Sequence, residues 1–196
     1  MSTTQPIKDK TLLEAFKNYY LLQKPNPRNH TLIVLGLNTA LRISDILQLQ
    51  WMDIYNEKAL QMREHLEVIE RKTGKTNIIA INKTVNHLLQ EYKSVTFQKE
   101  PYDKERYLFP SQKGKNQPIS RSQAFRIIKE AAIATGLFSH ISCHSMRKTF
   151  GYHAWKQGTP PALLMDIYNH SSYKITKRYL CIEQDERDEV YRNILL

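Results

Sequence analysis

The chain has 196 residues, with 29 Lys and Arg against 19 Asp and Glu, a formal net charge of +10, and 41% hydrophobic residues. That length supports one domain with a proper core. The charge favours a polyanionic partner such as nucleic acid over an acidic small molecule, although a merely basic surface is the plainer reading. The two cysteines, Cys143 and Cys181, exclude a disulfide framework and suit a reducing compartment. The opening MSTTQPIKDK has no apolar signal core and no run approaches a membrane span, so a soluble, cytoplasmic protein with no membrane partner is expected.

Residues 1–10 read as a polar arm. Leu12, Leu13, Phe16, Tyr19 and Tyr20 then recur at helical spacing, predicting a helix closed before Pro25 and Pro27. A second apolar stretch, TLIVLGLNTAL, leads to Arg42. Ser44 is a candidate N-cap for a short helix carrying Ile46, Leu47 and Leu49, which leaves Arg42 in the turn before it. From Trp51 to Asn82 the pattern is β, with LEVIER and TNIIAIN flanking Lys72-Thr73-Gly74-Lys75 as a hairpin with a basic tip. Helix returns after Asn82 through Val85, Leu88, Leu89 and Tyr92, and a polar loop spans residues 98–107.

Ser120 to Gln123 has capping-box form and opens a helix ending at Gly136. Three more helices are expected, from Cys143 to Gln157 before Gly158, from Pro160 or Pro161 to Tyr168, and from Ser172 to Leu180. The tail from Glu183 is acidic first and apolar last, at Val190, Ile194, Leu195 and Leu196. The expectation is a mainly α (α+β) domain over residues 11–182 with a small antiparallel β element, followed by the tail 183–196.

The stretch from His144 to Tyr179 holds the most chemistry. His144 and Arg147 are three apart in CHSMRKTFGYHAW, on one helical face where both can reach one phosphate. Alone, a His-x-x-Arg pair is usually an ordinary polar helix surface. His170 lies nine residues before Tyr179, across a turn at Ser171-Ser172. A phenol with an ordinary pKa near 10 needs cations on its target and a proton acceptor nearby before it can attack. Arg42, whose plain role is an exposed arginine salt-bridged to Asp45, and Lys72 or Lys75, which as edge lysines would discourage aggregation, supply further cations. Chemistry alone does not separate the two lysines. The set reads as phosphoryl transfer to tyrosine on DNA. His140, Cys143 and His144 are ligand types without a matching second pair, so no metal site is expected.

Taken in order, these residues resemble the tyrosine recombinase (phage integrase) family. TALRISDILQLQW is similar to its first arginine box, KTGK to its hairpin lysine, CHSMRKTFG to its second box, and NHSSYKITKRYL to its histidine-to-tyrosine box. The match runs from about Thr31 to Leu180. Ala40 and Asn169 stand where the family usually has glycine. Only about thirty residues precede the matching region, so the resemblance is to short recombinases of the fimbrial-invertase type or to an isolated catalytic domain.

The resemblance implies a site-specific recombinase that cuts and rejoins double-stranded DNA through a 3′-phosphotyrosine, with Arg42, Lys72, His144, Arg147, His170 and Tyr179 as its catalytic set. It also implies no cofactor, a homo-oligomer (tetramer) on DNA with a monomer in solution, a nucleoid-associated location and a tail that packs on a neighbouring protomer. The alternatives are a type IB topoisomerase and a DNA-binding regulator that has lost strand exchange.

Overall fold

The computed structural model describes residues 4–72, 74–138 and 140–194. Helix α1, Lys10–Leu22, is capped by the Asp9 carboxylate, which accepts from the Leu12 N–H at 2.8 Å. It stops short of the two prolines that the sequence marks as its limit. Helix α2, Pro27–Asn38, starts at a proline whose missing N–H costs nothing there. It buries Leu32, Ile33 and Leu35 completely or nearly so and forms the centre of the domain.

Two short helical turns follow, α3 at Ile43–Ile46 and α4 at Trp51–Ile54. Ser44 is not the cap of the first. Arg42 occupies that position, Ser44 lies inside the turn, and Leu47 and Leu49 are buried beyond it. The β reading from Trp51 also begins too early. The Asp53 carboxylate accepts from the Gln50 N–H at 2.8 Å and closes a helical turn, which drives Trp51 into the core against Tyr92 and Phe97.

Strands β1 (Tyr55–Asn56) and β2 (Gln61–Met62) form a small ribbon. Strands β3 (His65–Ile69) and β4 (Thr76–Ala80) pair antiparallel from His65↔Ala80 to Ile69↔Thr76. Alternation along β3 buries Leu66 and Val68 and leaves its other face to solvent. Such a ribbon is marginal alone and rests on the helical body beneath it.

Helices α5 (Lys83–Thr96) and α6 (Arg121–Ala134) are capped by Asn82 and Ser120, and Gly136 at φ +75° follows the second. Helix α7, Cys143–Lys156, ends before Gly158 at φ +82°. Helices α8 (Pro161–Tyr168), α9 (Tyr173–Leu180) and α10 (Glu183–Asn193) complete the described chain.

Helix α7 joins two apolar clusters. Met146 packs in the larger one, directly over Gly36 of α2, where an added Cβ would lie 2.6 Å from the methionine Cε. Tyr152 packs in the smaller one with Ala40, Leu164, Tyr168, Leu180 and Ile182. Residues 4–9, read as part of a polar arm, run along α7. Ile7 is buried and its N–H donates to Thr149 Oγ1 at 2.8 Å.

Candidate active site

The Arg42 guanidinium emerges where α2 hands over to α3 and donates from Nη1 to Glu70 Oε2 at 2.6 Å. Glu70, at the end of β3, is 2% exposed. The partner expected from sequence, Asp45, instead accepts from the Arg71 N–H at 3.2 Å. Both carboxylates therefore fasten the hairpin tip to the segment that carries Arg42.

Arg147 is buried, which is unusual for a cation unless its donors are satisfied. Its Nη1 donates to the Ala40 carbonyl and its Nη2 to the Tyr168 carbonyl at 3.4 Å. The guanidinium lies 4.6 Å from the Tyr168 ring centroid, a cation–π contact. The Tyr168 hydroxyl donates back to the Arg147 carbonyl at 2.7 Å. One tyrosine thus fixes the arginine at both its backbone and its head.

Tyr179 from α9 packs its ring 5.3 Å from that of Tyr168 and 5.3 Å from that of His170. His170 also stacks on Tyr168 at 5.6 Å, with Nδ1 3.1 Å from Thr176 Oγ1. Lys148 Nζ lies 5.3 Å from the Tyr179 ring centroid. Burial raises the Tyr179 pKa, against the downward pull of Arg147 and Arg42. The phenol therefore keeps its proton at neutral pH until something removes it.

His144 stands exposed near the start of α7. Its pKa is lowered, first by desolvation of the ring and then by the charges of Arg147, Lys148, Arg42 and Arg121. That of His170 is lowered by burial and then by Arg147 and Arg42. Both imidazoles are thus neutral at pH 7 and able to accept a proton.

A groove of about 1010 Å³ is lined by Arg42, Lys72 and His144 together with Arg71, Arg121 and Phe125. Lys72 sits on the exposed hairpin turn on this side. Lys75 faces the other way, donating to Asn169 Oδ1 at 2.8 Å beside His170. The two lysines that sequence left equivalent are therefore on different walls. Arg147, His170 and Tyr179 are not among the residues lining this groove and gather instead against Tyr168 of the smaller apolar cluster.

The phage integrase family profile matches residues 5–186. The chain belongs to the phage integrase family. YoeC of Bacillus subtilis, a probable integrase/recombinase, is 41% identical over 192 residues, which is 98% of this chain and 97% of YoeC. The crystal structure of the XerA recombinase covers 99% of this chain and 68% of its own, at TM-score 0.75 and 16% identity. That of XerH bound to its palindromic difH substrate covers 98% of this chain and 52% of its own, at TM-score 0.75 and 18% identity. These structures share the mainly helical fold with its small antiparallel element, and this integrase-family chain is a tyrosine recombinase.

Glu70, Tyr168 and Lys148 are the site neighbours that the sequence did not single out. Glu70 had a signal, a lone acid at a strand end just before the basic tip. Tyr168 had none, because a tyrosine ending an apolar helix looks like any core aromatic.

Proposed function

We propose that Tyr179 is the nucleophile of a site-specific DNA recombination reaction, with Arg42, Arg147, His144, His170 and Lys72 completing its catalytic set. The observation that carries this reading is the convergence of Tyr179, His170 and the buried Arg147 around the Tyr168 ring, with the Arg42 charge lowering the pKa values of Tyr179, His170 and His144.

In the proposed step the Tyr179 oxygen attacks the scissile phosphorus. Its proton passes to a neutral imidazole, His144 or His170. A phosphorus–tyrosine bond forms, the bond to the 5′ oxygen breaks, and that oxygen leaves with a proton from the Lys72 ammonium. Arg42 and Arg147 bind the non-bridging oxygens as charge grows there, where removing a single donor typically costs about 3 kcal/mol. The phosphotyrosine keeps the energy of the phosphodiester, so a 5′ hydroxyl of a partner strand can reverse the step and complete exchange.

Double-stranded DNA is the substrate of this reading, supported by the +10 charge and by the likeness to XerH on its DNA. A tetramer on DNA, a monomer in solution, a nucleoid location and exchange of the tail between protomers belong to the same proposal. The test begins by trapping the protein on nicked duplexes and sequencing the bound DNA. A supercoiled plasmid carrying two copies of that sequence should yield exchanged products. Relaxation without exchange would make the protein a topoisomerase, and neither product would make it a binding protein.

A further inference from the structure

The hairpin turn carries Lys72, but its attachment runs through its neighbours. The Glu70 N–H donates to the Lys75 carbonyl at 2.9 Å, and the Gly74 N–H, at φ +68°, donates to the Glu70 carbonyl at 2.8 Å. Arg71, Lys72 and Gly74 thus belong to a turn closed at its base by Glu70 and Lys75. Glu70 holds the base to Arg42, and the Arg71 N–H holds the loop to Asp45. Lys75 holds the opposite side to Asn169 Oδ1 at 2.8 Å.

Asn169 sits directly before His170 with φ +57°, ψ +47°, the left-handed conformation that glycine adopts most freely and asparagine tolerates. A glycine there keeps the backbone and offers no side-chain acceptor. An asparagine keeps the backbone and adds one, aimed at the hairpin.

We infer that Lys75 and Asn169 are a positioning pair, which clasps the hairpin to the end of α8 and so sets where Lys72 meets the leaving 5′ oxygen. The inference rests on the proposed role of Lys72. A loop anchored on one side only swings about that anchor, and a displacement of about 1 Å in a reacting group costs on the order of 10²-fold in rate.

The experiment uses the full chain under single-turnover conditions with saturating enzyme. The substrates are a nicked suicide duplex of the sequence the protein captures and the same duplex with sulfur at the bridging 5′ position. The sulfur leaves as a stable thiolate and needs no acid. Asn169→Gly and Lys75→Met should each slow cleavage of ordinary DNA about 10- to 100-fold and cleave the sulfur duplex at the wild-type rate. The double variant should be no slower than either single one, since both remove the same clasp. Asn169→Asp, which keeps an acceptor and tolerates the backbone, should cleave like the wild type.

Wild-type cleavage of ordinary DNA by Asn169→Gly, multiplied effects in the double variant, or a defect that persists on sulfur would each overturn the clasp. Lys72→Ala serves as the control for the underlying reading. If sulfur fails to rescue it, Lys72 is not the acid, and the clasp falls with that assignment rather than on its own evidence from Asn169.

Discussion

Ala40 carries an L-alanine through φ +52°, in the left-handed region that costs a non-glycine residue roughly 1–2 kcal/mol. The conformation is kept because its carbonyl receives the Arg147 guanidinium and its methyl packs in the smaller cluster. At both positions where the family usually has glycine, Ala40 and Asn169, the backbone therefore keeps the glycine-like shape. Ala40→Gly should change stability by no more than about 1 kcal/mol, since the relief of strain is offset by a more flexible unfolded chain. Ala40→Val, β-branched at positive φ, should lose more than about 2 kcal/mol and lower cleavage through Arg147. Urea denaturation with a cleavage assay checks both.

The histidines make a pH prediction. His30, His144 and His170 all have pKa values below the usual imidazole value, with desolvation of the ring as the leading cause and, for the exposed His144, four neighbouring cations adding to it. The unfolded chain then binds more protons than the folded one below pH about 6.5. Stability should be fully present above that pH and fall as the pH is lowered through and below it. The melting temperature measured between pH 7.5 and 5 should drop in the wild type and drop less in His170→Asn. A melting temperature that rises on acidification would reverse the sign.

Among the elements, α10 is the least committed to the body. It buries none of its described side chains. It is held by the Lys8–Asp185 ion pair at 2.6 Å, by Glu186 with Lys177 at 3.1 Å and the Tyr173 hydroxyl at 2.6 Å, and by Lys156–Glu189 at 3.7 Å. Such solvent-facing pairs contribute about 0–1 kcal/mol each. Deleting residues 184–196 should therefore lower the melting temperature by only about 2–8 °C, while weakening assembly on paired sites more than binding to one site. Unfolding on truncation would place the helix in the protomer's own core. Ile194 is exposed, and Leu195 and Leu196, the rest of the apolar end, lie outside the described residues.

The elements legible in sequence were those whose ends carry local chemistry. Asn82, Ser120 and Ser172 cap helices by accepting from the N–H three positions on, and Gly136 and Gly158 follow α6 and α7 at positive φ. The hairpin was legible from two β-rich runs around a Gly-containing turn. A short helix directly after Arg42 was legible too, but its cap and the start of the β pattern were not, because the stretch from Ile43 to Ile54 is built on two four-residue turns, too short for a periodicity to emerge. Their form is set by the Gln50–Asp53 cap together with tertiary contacts, Arg42 with Glu70 and Trp51 with two aromatic rings. The six residues proposed for the site are named in sequence by order and type alone, whereas the separation of Lys72 and Lys75 onto two walls involves Asn169, ninety-four residues from Lys75.

At the scale of the whole molecule, the +10 charge and the cationic groove make DNA binding an electrostatic event. Affinity should fall with salt along a log–log slope on the order of −4 to −8, the value for roughly five to nine neutralised phosphates. A titration over several salt concentrations gives the slope, and a value near zero would remove the charge from the account. Catalysis in this site turns on a single oxygen atom, because the burial, the cations and the aromatic packing around Tyr179 matter only if its hydroxyl becomes bonded to phosphorus. Incubation of the wild type and Tyr179→Phe with a nicked suicide duplex, followed by denaturing electrophoresis and peptide mass mapping, measures that bond. The wild type should carry DNA on the Tyr179 peptide and the variant none while still binding duplex within a few fold, whereas a covalent complex that survives in Tyr179→Phe would contradict the account.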